Sequence, residues 1–153
     1  MKDIFKNKKS VLIYTEDINK KGAIDLILNY GYDNGFIKDL RTTSYEIYKR
    51  EELGSTGIGD GVAIPHAKLN DIEGVVVVFG YFTKGVDFES VDGEKVYFIF
   101  LILTEAKNTT LHLKTLSCIS KLIKNTEFKD MVKNAKTTEE IHKILNSLWD
   151  KVV

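Results

Sequence analysis

Residues 96–103 read VYFIFLIL, eight consecutive apolar residues without a charge or a turn former. A second run of the same kind, VVVVFGYF, occupies residues 75–82. Both are rich in β-branched and aromatic side chains, and neither alternates apolar with polar residues. Such runs suit strands buried on both faces, so the sheet they build needs cover on each side. The rest of the chain offers that cover. Ala23, Ile24, Ile27 and Leu28 recur at helical spacing until Gly31, and a second helix is expected from Phe36 to about Leu53 with Phe36, Leu40, Ile47 and Tyr48 inward. Thr109 or Thr110 can cap a helix to about Lys124 with Leu113, Leu116, Ile119 and Ile123 inward, and a short helix is expected near Glu127–Ala135. Thr137-Thr138-Glu139-Glu140 reads as a capping box ahead of Ile141, Ile144, Leu145, Leu148 and Trp149. With a short strand at Val11–Tyr14 and another at Val62–Ile64, the pattern predicts an α/β chain, a single domain over residues 1–153 with its sheet flanked by helices on both faces.

Charge narrows the function classes. Lysine plus arginine and aspartate plus glutamate each number 22, so the formal net charge is zero. A nucleic-acid binder normally gathers a basic excess on one face, and this balance argues against one. Cys118 is the one cysteine, which excludes an intrachain disulfide and favours a reducing compartment. The start, MKDIFKNKKSVLIYTED, holds a four-residue apolar run, too short for a signal peptide, and VYFIFLIL falls short of the about 20 residues of a spanning helix. A soluble, cytoplasmic domain is expected.

The chemistry concentrates in GSTGIGDGVAIPHAK, residues 54–68. Its glycines do not make a nucleotide cradle. A Walker loop would end in Gly-Lys-Ser/Thr, and a dinucleotide fingerprint needs the strand before the glycines and the helix after them. Here the loop leads into a strand that Pro65 is expected to end, placing His66 just past the sheet. An imidazole there is neutral, nucleophilic and close to its pKa at physiological pH. His112 falls on the first turn of its expected helix, where free N–H groups and the dipole favour an anion, and Arg50 precedes the glycine loop with a planar fork suited to phosphate. His142 lies beside an apolar stripe on a charged helix, which predicts a solvent-facing side chain without a role. The three histidines match no local metal-ligand spacing, so neither a metal nor another cofactor is expected. No Gly-x-Ser-x-Gly elbow is present, and Cys118, six residues after His112, turns away from it and belongs to the core.

Arg50-Glu51, STGIGDGVAIPHAK, FESVDGEKVYFIFLIL and LHLKTLSCISKLI, in that order, resemble enzyme IIA of the fructose–mannitol class of the bacterial phosphotransferase system. The resemblance runs from about Val11 to Leu148. It implies a mixed sheet flanked by helices and a phosphorylated histidine at His66, with His112 as the second active-site histidine and Arg50 as its arginine. It further implies phosphoryl transfer from the phosphocarrier HPr to a cysteine on the IIB domain of a sugar permease, with no metal or nucleotide bound by this domain itself. Ser117 and Cys118 depart from the small apolar residues commoner at those positions. The glycine loop is closer to the fructose-type and nitrogen-regulatory branches than to the mannitol branch. The resemblance therefore implies either sugar uptake, fructose-type first, or a nitrogen-type regulator that docks on partners according to its phosphorylation state.

Overall fold

The computed structural model describes residues 1, 3–5 and 7–153. Six strands, among the described residues, form one mixed sheet: β1 (Val11–Tyr14), β2 (Gly57–Gly59), β3 (Val62–Ala63), β4 (His66–Leu69), β5 (Val75–Val86) and β6 (Val96–Glu105). The order is β1-β5-β6-β3-β2, with β4 also pairing β6. β1 runs parallel to β5, β5 antiparallel to β6, and β3 and β4 both parallel to β6.

The two apolar runs divide their side chains between two cores, as period-two alternation requires. Phe98, Phe100 and Ile102 join Val77 and Phe79 against α3 (Thr109–Ile123), α4 (Phe128–Asn134) and α5 (Thr138–Val152). Ile99, Leu101 and Leu103 join Val78 and Phe82 against α1 (Lys20–Asp33) and α2 (Leu40–Glu52). Helices therefore cover both faces.

Several boundaries differ from the sequence reading. α1 passes Gly31 and ends at Asp33. α2 starts at Leu40 rather than Phe36, because Asp39 caps it by accepting from Thr42 N at 3.1 Å. Ile37 is buried in the loop before it, so an apolar residue there completes the core without being helical. α3 is capped by Asn108, whose side chain accepts from Leu111 N, and neither threonine plays that part. Leu113 is 61% exposed instead of inward.

His142 is a larger correction. It is buried, and its Nε2 donates to the carbonyl of Phe5. The N-terminal segment covers α5: Phe5 sits edge-on to Trp149 at 5.7 Å, and Trp149 Nε1 donates to Met1 O at 2.7 Å. A distant segment, invisible to helical periodicity, turns this face inward. Cys118 is buried in the core, as its position on α3 predicts.

Candidate functional site

The glycine segment is a hairpin against the sheet. Asp60 and Gly61 have φ of 56° and 79°, the two left-handed residues of a tight turn between β2 and β3. At Gly57 the chain passes so close to residue 90 that a Cβ would meet Ser90 Cα at 3.0 Å. These glycines serve a tight turn and a close backbone approach.

Beyond it, Pro65 breaks the ladder without ending it. Its carbonyl accepts from Ile102 N at 3.0 Å, and the chain resumes pairing as β4. His66 is thus the first residue of a strand, not a residue past the sheet, which corrects the sequence reading. The register pairs His66 with Ile102 and Lys68 with Thr104. Registered neighbours point to the same side of a sheet, so His66, Lys68 and Thr104 share the face that α3 covers.

The three residues singled out in the sequence converge. Arg50 comes from the last turn of α2, His66 from β4 and His112 from the first turn of α3, and all three line one open cavity of about 280 Å³. The His66 and His112 rings lie 5.5 Å apart between centroids. Glu46, Lys49, Leu53, Ala67 and Lys68 complete the wall. That volume lies at the lower edge of the about 300–1,000 Å³ typical of small-molecule sites. Among the described residues, no group of three or more His, Cys, Asp or Glu side chains is placed to hold a metal ion.

Each imidazole is held by one nitrogen. His66 Nδ1 lies 2.7 Å from the Ile64 carbonyl. A carbonyl only accepts, so Nδ1 carries the proton and Nε2 keeps the lone pair. His112 Nδ1 meets the hydroxyl of Thr104 at 2.5 Å. Burial pushes the His66 imidazole below its ordinary pKa. The Ile64 carbonyl pulls the other way, while the Arg50 charge adds to the lowering. Burial, then the neighbouring His66 and Lys68, hold His112 down as well. Both rings are therefore biased toward the neutral form.

Behind the cavity lies a carboxylate that the reading of single residues passed over. Glu51 is 8% exposed, accepts from Thr56 N at 3.2 Å and from the Thr56 hydroxyl, and pairs with Lys20 Nζ at 3.0 Å. Thr56 O in turn accepts from Ile64 N at 3.0 Å, and Ile64 O holds His66. One chain of hydrogen bonds thus ties the end of α2 to the imidazole. Arg50 donates Nη1 to Gly54 O at 2.9 Å, which fixes one side of its guanidinium. Lys68 was legible through its two-residue spacing from His66 on a strand, had β4 been foreseen. Thr104 had no local signal, since only the fold brings it to His112.

The family model for the phosphoenolpyruvate-dependent sugar phosphotransferase system, EIIA 2, matches residues 4–148. The chain is 34% identical over 140 residues to the fructose-specific EIIABC component of Bacillus subtilis, covering 91% of this chain and 22% of that longer protein. Its structure resembles that of the nitrogen regulatory protein IIA-Ntr from Neisseria meningitidis, with a TM-score of 0.79 at 25% identity over 90% of this chain and 94% of that one. The mannitol IIA of Escherichia coli, solved in complex with phosphorylated mannitol IIB, shares the fold with a TM-score of 0.76 at 15% identity, over 92% of this chain and 96% of that one. No helix among the described residues is long and apolar enough to cross a membrane.

Proposed function

The chain belongs to the EIIA 2 family of the phosphoenolpyruvate-dependent sugar phosphotransferase system, and we propose that residues 1–153 act as one phosphohistidine-carrier domain with His66 as its nucleophile. The observation that carries this reading is the Ile64 carbonyl on His66 Nδ1, which leaves Nε2 with its lone pair in an open cavity beside Arg50. Nε2 attacks the phosphorus of a phosphohistidine on the donor, HPr. The Nε2–P bond forms as the donor's N–P bond breaks, and the bonding pair returns to the donor imidazole. In the second transfer a cysteine thiolate on a IIB domain attacks the same phosphorus. The S–P bond forms, the N–P bond breaks, and the pair returns to His66 Nε2.

The transferring group spreads its charge over three equatorial oxygens, so the protein's part is positioning and charge stabilisation. Arg50 supplies the guanidinium face not used by Gly54, and His112 supplies a ring N–H. The ring of His66 stays in place throughout, because its other nitrogen is tethered to its own backbone. A cavity open to solvent suits a group that must be reached by two different proteins in turn.

The acceptor proposed first is the IIB domain of a fructose-type permease, on the likeness to the Bacillus subtilis fructose component. The likeness to the nitrogen regulatory protein supports a second reading, in which the phosphorylation state governs docking on partner proteins. A chase separates them. Protein labelled from phosphorylated HPr is mixed with purified fructose-type IIB, and the label should leave His66 for a IIB cysteine within seconds. Label that stays on His66 in the presence of every IIB tried would favour the regulatory reading.

A further inference from the structure

We infer that Thr104 is a positioning residue for phosphoryl transfer: its hydroxyl donates to His112 Nδ1 and so fixes the ring tautomer that presents Nε2–H to the cavity. The inference rests on the proposed transfer at His66 and adds a residue that neither ring of the site contains.

Thr104 lies on β6, fully buried, with its Oγ1 2.5 Å from His112 Nδ1. A hydroxyl hydrogen must find an acceptor when water is excluded, or its burial goes uncompensated. Among the described residues the Thr104 hydroxyl has one hydrogen-bond partner, His112 Nδ1. If Nδ1 carried the ring proton, it would donate to Oγ1 and leave the hydroxyl hydrogen buried without an acceptor. If Nδ1 is bare, the hydroxyl donates to it and both groups are satisfied. A neutral imidazole with a bare Nδ1 carries its hydrogen on Nε2. The strand register and the ring contact then complete the geometry. Thr104 sits opposite Lys68, two residues from His66 on the same face, and the His112 ring lies 5.5 Å from that of His66. The Nε2–H of His112 is therefore available to an equatorial oxygen of a group on His66, while the Nε2 of His66 is bare. The two imidazoles hold opposite tautomers, one to attack and one to donate, each set by a single backbone or side-chain partner.

Nitrogen-15 NMR of the histidine rings tests this directly, because protonated, hydrogen-bonded and bare ring nitrogens have separate shifts. In the intact wild-type chain His112 should show a protonated Nε2 and a Nδ1 that accepts a hydrogen bond. Thr104→Val keeps the side-chain shape and should move Nδ1 to the shift of a bare nitrogen, whereas Thr104→Ser should restore the wild-type value. Single-turnover uptake from phosphorylated HPr should fall about tenfold in Thr104→Val, less than the about 10²-fold cost of losing a preorganised donor outright, and recover in Thr104→Ser. A wild-type His112 protonated on Nδ1, a Nδ1 shift unmoved by Thr104→Val, or unchanged uptake in that variant would each overturn the inference. A wild type that takes no phosphate from HPr would instead defeat the transfer reading, and the ring shifts would still decide the tautomer.

Discussion

At the scale of single residues, the proposed transfer at His66 depends on how Arg50 divides its guanidinium between backbone and cavity. Arg50 spends one nitrogen on the Gly54 carbonyl and keeps the rest of its fork for the cavity. Lysine at that position keeps the charge but cannot hold the carbonyl and face a phosphoryl group together. Arg50→Ala should slow single-turnover uptake by about 10²–10³-fold, the usual cost of one lost preorganised donor, with Arg50→Lys falling between it and the wild type. Because Arg50 sits at a half-exposed helix end, melting should shift little, within about 0.5 kcal/mol. A large drop in melting temperature with either variant would mean that Arg50 serves the fold instead of the chemistry.

At the scale of elements, the link between α2, β2 and β4 holds the site in register. Glu51 and Lys20 are both largely buried, and Glu51 alone holds the backbone and hydroxyl of Thr56. Glu51→Ala leaves the N–H and hydroxyl of buried Thr56 without their acceptor, while Lys20 keeps Glu89 within 4.0 Å, so it should cost about 2 kcal/mol by denaturant unfolding. Uptake at His66 should slow as well, since Ile64 and His66 hang from Thr56. Unchanged stability would show that the pair is not part of the fold's support. Elements also explain what the sequence disclosed and what it hid. β5 and β6 were legible because two-sided burial leaves continuous apolar runs, and α5 because Thr137 and its apolar stripe are local signals. β4 was hidden although His66-Ala67-Lys68-Leu69 alternates polar with buried apolar residues. Pro65 masked it, because a missing N–H reads as a strand end when only local rules apply. The start of α2 is hard to read locally, since Ile37 is buried by packing against the core and not by helical phase. The burial of His142 leaves no local signal, because the segment that covers it lies at the other end of the chain. The convergence of Arg50, His66 and His112 on one cavity was legible by type and motif, whereas the contacts of Thr104 and Glu51 arise only in the assembled sheet and helices.

At the scale of the whole molecule, the two rings of the site couple stability to pH. Both folded-state imidazoles are held below their ordinary value, mainly by burial. The unfolded chain therefore binds protons more readily than the folded one as pH falls below about 6.5. Stability is fully present above that value, declines through the folded-state pKa values, and levels off below them. The depressed carboxyls of Asp39 and Asp92 lose their contribution separately, at and below the ordinary carboxylate range. Unfolding followed against pH should thus show a first loss beginning near about 6.5 that disappears in a His66→Gln, His112→Gln double variant. A first loss that persists in the double variant would place its origin elsewhere. Uptake should fall at lower pH than that first loss begins, through the depressed folded-state pKa of His66, since an imidazolium has no lone pair to attack phosphorus. The most direct measurement of the central claim is the site and atom of the label. The protein is incubated with phosphorylated HPr, and the product is analysed by peptide mass spectrometry and by nitrogen-15 NMR of its histidine rings. One acid-labile phosphate bonded to Nε2 of His66 is the result expected, and its absence in His66→Ala follows. A phosphate on His112, on Nδ1 of His66, or on any residue of the His66→Ala variant would contradict the account.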